Sequence, residues 1–136
     1  MQIPKIYKDS DADISLIQSR KVGIVGFGNQ GRAHALNLID SGVDVYIGLR
    51  EDSPSRNLAD SDGLRSYSIS ETLGCCDIIS LLVPDQVMGD VYRNHIASNI
   101  QEGQTLLFVH GYNIHYNVIQ PPEFINVVMS APSGSG

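Results

Sequence analysis

From Lys21 to Met129 the chain alternates apolar runs with helix-spaced patterns. Lys21 to Phe27 is nearly continuous in apolar residues, as in a strand covered on both faces of a parallel sheet, and is read as the first strand. In the next segment Ala35, Leu38, Ile39 and Gly42 fall at i, i+3, i+4 and i+7. That spacing predicts a helix over Asn29 to Ser41 with one core stripe, stopped by Gly42. Val43 to Leu49 reads as a second strand, and the polar loop Arg50 to Arg56 leads to a helix reaching about Ser61 and ended by Gly63. Arg65 to Ser68 is a short third strand; the helix after it starts at Ser70-Glu71, with Ser70 or Ser68 as its cap. Asp77 to Val83 is the fourth strand, Pro84-Asp85 caps a helix from Gln86 to about Arg93, and Thr105 to Val109 is the fifth strand. A short helix over Asn113 to Ile119 stops at Pro121-Pro122, and Ile125 to Met129 is the sixth strand. Such alternation predicts an α/β fold, a doubly wound parallel sheet with right-handed crossovers. The expected organisation is an arm with a short helix near Asp13 to Gln18 (residues 1–20), one domain (21–130) and a Gly/Ser tail (131–136).

The chemistry is concentrated where strands end, because ligands of this architecture sit beyond the carboxyl ends of the strands. Gly26-Phe27-Gly28-Asn29-Gln30-Gly31 has GxGxxG spacing, with the required strand before it and helix after it. Gly26 lets the chain turn off the strand, Gly28 lets a pyrophosphate approach the backbone, and Gly31 lets helix and strand lie close. The helix start adds N–H donors and the positive end of a dipole. A Rossmann-like dinucleotide site follows; the bland alternative is a tight turn without a ligand.

The second strand ends in Leu49-Arg50, where an NAD site usually carries an acidic residue for the ribose hydroxyls. A guanidinium there favours a 2′-phosphate, and so NADP over NAD. Ser53, Ser55 and Arg56 add donors and a second positive charge, while Glu51 and Asp52 pull the other way. The minor alternative for Arg50 is a solvated loop charge. Pro84 and Asp85 lie where the middle of a dinucleotide passes, although capping alone would account for them. His110 follows the fifth strand, where nicotinamide and substrate belong, and an imidazole there can donate to an oxygen or shuttle a proton. A lone histidine at a strand end is more often hydrogen-bonded structure. His115 falls on the next helix or the surface; His34 and His95 carry no assignment.

Composition narrows this picture rather than changing it. The 136 residues include 42% hydrophobic and 18% charged residues, an ordinary globular balance. A net charge of −6 argues against nucleic acid or an anionic membrane as partner. No apolar run approaches the ~20 residues of a membrane span, and a signal-peptide core is missing. The two cysteines, Cys75 and Cys76, are adjacent and read as a buried helix-to-strand junction, not a disulfide framework or zinc pattern. A reducing, cytoplasmic location is expected, and no metal site is.

Several runs taken together carry a more specific signal: GFGNQGRAHALNLIDSG, VDVYIGLR with two loop serines, LLVPDQV, FVHGYNIHY, the paired prolines and MSAPSGSG. In this order they resemble ketol-acid reductoisomerase of the short, class I type, over the chain from about Lys5 to its end. The resemblance implies an NADP-binding domain joined in the family to a helical domain. That second domain carries the ligands of two magnesium ions and forms the dimer core. It also implies isomerisation of acetohydroxy acids by alkyl migration and their reduction with NADPH, in branched-chain amino-acid synthesis. By position it places Gly26, Phe27, Gly28, Gln30 and Gly31 in the phosphate loop, Arg50, Ser53 and Ser55 at the 2′-phosphate, Pro84 and Asp85 along the cofactor, and His110 beside nicotinamide and substrate.

Three departures stand out. Arg32 replaces the family's usual histidine, as a possible extra phosphate contact. Ser133 and Ser135 replace an active-site lysine and a proline. The magnesium-binding domain is absent from these residues, so turnover by this chain alone is not expected, and a homo-oligomer or a partner covering the strand-end face is. The alternatives are a free-standing NADP-sensing module, or a small reductase completed by a partner chain.

Overall fold

A computed structural model describes residues 3–132. Six parallel strands form one sheet in the order β3-β2-β1-β4-β5-β6. They are β1 (Lys21–Val25), β2 (Asp44–Gly48), β3 (Ser66–Tyr67), β4 (Ile78–Leu81), β5 (Thr105–Phe108) and β6 (Asn126–Met129). The helices are α1 (Ser15–Gln18), α2 (Asn29–Asp40), α3 (Ser55–Ser61), α4 (Ile69–Cys75), α5 (Asp85–Val91), which runs on into a π-helical turn (Tyr92–Ile96), and α6 (Tyr112–His115). The doubly wound α/β sheet expected from the sequence is present, and its strand order reverses between β1 and β4.

Alternating side chains along the strands feed two cores. Val22, Ile24 and Ile47 pack with Ala35 of α2 and Ala59 of α3 on one face. On the other, Val25, Ile79, Leu81, Leu106 and Phe108 pack under α4, α5 and the π-helical turn. The buried Thr72 brings α4 unusually close to the sheet. A Cβ on Gly23 would lie 2.6 Å from its methyl group, and one on Gly48 would lie 2.8 Å from its hydroxyl. Glycines on adjacent strands make the hollow that this helix fills.

Several local expectations need correction. The apolar run of β1 continues to Phe27, but strand pairing stops at Val25, because Gly26 leaves the sheet at φ +104°. The inner stripe of α2 is Gly31, Ala35 and Leu38; Ile39 is 37% exposed. The stop at Gly42 is as expected: its N–H bonds to Ile39 O and that of Val43 to Leu38 O, with Gly42 in the left-handed region. Ser68, not Ser70, caps α4: its hydroxyl accepts from Glu71 N at 3.1 Å, and Glu71 reaches back to Ser68 N at 2.8 Å. These bonds hold the Glu71 carboxyl below its ordinary range. Helix α6 is a single turn rather than a span to Ile119, because Asn117 takes φ +55°. Cys76 is buried, which pushes its thiol up, whereas Cys75 at the end of α4 is exposed and so is not part of a buried junction.

At the N-terminal side, Ile17 of α1 packs on the core under α2 and α3, and Gln18 Nε2 donates to Ser41 O at 2.8 Å. At the opposite border all four residues of β6 are exposed. Ser133 to Gly136 lie outside the described residues. Among the described residues no helix is long and apolar enough to cross a membrane.

Candidate dinucleotide site

A cleft of about 410 Å³ opens at the carboxyl ends of β1, β2 and β4, where the strand order reverses. Its floor is Gly26, Phe27 and Gly28; Arg50, Ser53 and Ser55 form one side, and Pro84 lies on the β4 side. Phe27 is 1% exposed, so its ring belongs to the core and only its backbone serves the cleft.

The three glycines of the loop do different work. A Cβ on Gly26 would lie 2.6 Å from Leu82 O, and one on Gly31 would lie 2.4 Å from Gly26 O. Both contacts are with backbone, so these glycines let α2 start tightly against β1 and β4. A Cβ on Gly28 would meet nothing within 4 Å. No described residue lies close enough to require glycine there. The open space over Gly28, at the N-cap of the 12-residue α2, suits an anion approaching the first-turn N–H groups, which lack carbonyl partners inside the helix. Gly31 and the half-buried Gln30 sit on α2 behind the loop and do not line the cleft.

Arg50 is the guanidinium free to meet a ligand in the β2 loop. Its side chain is 56% exposed, and Asp52 is 4.0 Å from its Nε. Arg56 does not supply the second free charge expected of it. Its Nε donates to Arg50 O at 2.9 Å, and its terminal nitrogens donate to Leu49 O at 2.8 Å and Ser66 Oγ at 3.0 Å. Arg56 therefore pins the loop to the ends of β2 and β3. Arg32 is likewise engaged within the protein. It forms a two-pronged pair with Asp62, Nε to Oδ2 at 2.7 Å and a terminal nitrogen to Oδ1 at 2.8 Å, joining α2 to the end of α3. The guanidinium beside Asp62 holds that carboxyl below its ordinary range.

Asp85 and His110 meet outside this cleft. Asp85 is not a side-chain cap: Pro84 is the N-cap, Asp85 opens α5, and its Oδ2 lies 3.4 Å from His110 Nδ1. The same Nδ1 lies 3.2 Å from Tyr112 N, which donates to it. In that arrangement a neutral imidazole carries its proton on Nε2. The ring is 64% exposed, so this proton faces an open surface. Asn113 is fully buried behind the pair, and its Nδ2 donates to Asp85 O at 3.3 Å. Asn113 thereby ties α6 to the start of α5.

The sequence reading missed the far wall of the cleft. Ile69 of α4, Val87 and Val91 of α5, and Asn94 and His95 of the π-helical turn line it. Val87 and Val91 are four residues apart on one helix, a signal that could have been used. Asn94 and His95 lay in what read as a helix end or loop. Among the described residues no group of three or more His, Cys, Asp or Glu is placed to hold a metal ion.

The family model described as "Acetohydroxy acid isomeroreductase, NADPH-binding domain" matches residues 16–136. The chain belongs to this family. It is 51% identical over 132 residues to the ketol-acid reductoisomerase (NADP(+)) of Kocuria rhizophila, and that match covers 97% of this chain and 39% of the relative. It is 49% identical to the enzyme of the same name from Renibacterium salmoninarum, with the same coverage. The chain thus spans about two fifths of the length of these relatives. Among solved structures, an NADH-preferring ketol-acid reductoisomerase from an uncultured archean superposes with a TM-score of 0.92 at 35% identity. That match covers 96% of this chain and 41% of the other. A semialdehyde dehydrogenase NAD-binding protein from Cupriavidus necator shares the fold alone, at 22% identity and a TM-score of 0.70.

Proposed function

We propose that the cleft binds NADP(H), with the pyrophosphate over Gly28 and the N-terminus of α2 and the 2′-phosphate at Arg50, Ser53 and Ser55. The observation that carries this is the cleft that brings Gly28, at the N-cap of α2, together with Arg50, Ser53 and Ser55 at the end of β2. Gly26 and Gly31 keep the turn tight, Phe27 contributes backbone, Gln30 supports the loop from α2, and Pro84 flanks the path. The apolar wall of Ile69, Val87 and Val91 suits the faces of an adenine ring. When bound, the reduced nicotinamide supplies a hydride. The family includes both NADP-named and NADH-preferring members, so cofactor choice turns on the β2 loop, where Arg50 favours the phosphorylated form.

We further propose that this domain serves the family's reaction, magnesium-dependent isomerisation and reduction of an acetohydroxy acid, in the cytoplasm. His110 would offer its Nε2 proton to a substrate oxygen, its ring oriented by the N–H that Tyr112 donates to Nδ1. The metal ligands and the closing face would come from a second domain or a partner chain. Titration of the chain with NADPH and NADH tests the cofactor reading; NADPH should bind more tightly, and equal affinities would overturn the 2′-phosphate assignment. Turnover of an acetohydroxy acid with magnesium and NADPH should be absent from these residues alone, and its appearance would overturn the need for a second part.

A further inference from the structure

The cofactor cleft has a polar corner that the phosphate loop and the β2 loop do not explain. It is built by the π-helical turn. Ala97 N bonds to Tyr92 O at 2.8 Å, five residues back, which widens the helix there. Tyr92 and Ile96 both stay in the core, at 6% and 0% exposure, while Asn94 and His95 between them reach the cleft. The turn is also fixed from outside. Asn99 Nδ2 donates to His95 O at 2.9 Å, and Asn99 Oδ1 accepts from Ser70 Oγ of α4 at 3.3 Å. Nearby charge is already paired: Asp90 is bound by Arg93. What remains at this corner is a half-buried imidazole and an exposed carboxamide, facing the apolar surface of Ile69, Val87 and Val91.

This combination fits a flat heterocycle with apolar faces and a polar edge. We infer that the π-helical turn reads the base of the cofactor, with Asn94 pairing with the polar edge of adenine and His95 covering its face. The inference rests on the NADP(H) reading of the cleft and deepens it. A carboxamide offers a donor and an acceptor side by side, the complement of adenine's amine and ring nitrogen. An imidazole offers a flat π surface whose orientation the anchored backbone sets in advance.

The test uses NADPH, 2′,5′-ADP, reduced nicotinamide mononucleotide and deamino-NADPH, in which the adenine amine is replaced by oxygen. His95→Ala should weaken NADPH and 2′,5′-ADP alike, by about three- to tenfold, the worth of one aromatic contact. It should leave the mononucleotide unchanged, and His95→Phe should restore most of the loss. The unsubstituted chain should prefer NADPH to deamino-NADPH, and Asn94→Ala should erase that preference. Melting curves confirm that each variant is folded. Unchanged 2′,5′-ADP affinity in both alanine variants would overturn the inference while leaving the cofactor reading intact. A chain that binds neither NADPH nor 2′,5′-ADP would overturn both.

Discussion

Replacing Arg50 with alanine isolates the charge that distinguishes the two nicotinamide dinucleotides. The Arg50 side chain is 56% exposed, so it meets a 2′-phosphate close to bulk water. Two unit charges about 4 Å apart attract by about 1 kcal/mol in water and about 4 kcal/mol at an effective dielectric of about 20. Asp52, 4.0 Å from Arg50 Nε, already draws on the same guanidinium. Both facts pull the value toward the watery limit, to about 1–2 kcal/mol, which is a loss of about 5- to 30-fold in NADPH affinity. NADH carries no 2′-phosphate and should bind Arg50→Ala as it binds the unsubstituted chain. Fluorescence titration of both dinucleotides reads the difference, and added salt should shrink it. An equal loss for NADPH and NADH, or none for NADPH, would refute the reasoning.

Other substitutions separate the roles of neighbouring residues. Gly28→Ala should keep its melting temperature, since nothing lies near the new methyl group, yet weaken NADPH by about tenfold or more through the pyrophosphate's lost approach. Gly31→Ala should do the reverse: helix propensity favours alanine by about 1 kcal/mol, but contact with Gly26 O outweighs this and leaves a net loss of about 1–3 kcal/mol in denaturant unfolding. Arg56→Ala should cost about 1.5–3 kcal/mol of stability, because it leaves the carbonyls of Leu49 and Arg50 without their charged donor; unchanged unfolding would show that the loop does not depend on it. Asp62 and Glu71 both sit below their ordinary ranges in the folded chain. Their stabilisation is therefore complete above the unfolded carboxyl range and fades as pH falls through the folded values. The double variant Arg32→Ala, Glu71→Gln should accordingly show a flatter loss of stability with acid, and an identical acid profile would exclude these two contacts.

Periodicity revealed the sheet because the central strands carry nearly continuous apolar runs, and glycine spacing revealed the phosphate loop because a Cβ at Gly31 would come within 2.4 Å of the Gly26 carbonyl. Elements were harder to bound where one residue's dihedral angle decides, as at Asn117, or where an apolar run outlasts its pairing, as at Phe27. Charges were misread for another reason. Arg32, Arg50 and Arg56 look alike in sequence, and only the fold shows that Asp62 occupies the first and four backbone and hydroxyl oxygens surround the third. His95 was invisible because a π-helical turn has no distinct apolar period. Of the proposed cofactor residues, Gly26, Phe27, Gly28, Arg50, Ser53, Ser55 and Pro84 line one cleft. Gly31 shapes that cleft from behind, and Asp85 stands with His110 outside it.

The exposed last strand carries a practical consequence. Val127 and Val128 are each 44% exposed and Met129 is 62% exposed, on a strand paired only with β5 among the described residues. A bare, greasy hem of this kind invites stitching to another backbone, since it has neither lysine nor proline to discourage it. Concentrated solutions of these residues should thicken through hem-to-hem growth, and a lysine in place of Val128 should keep them clear.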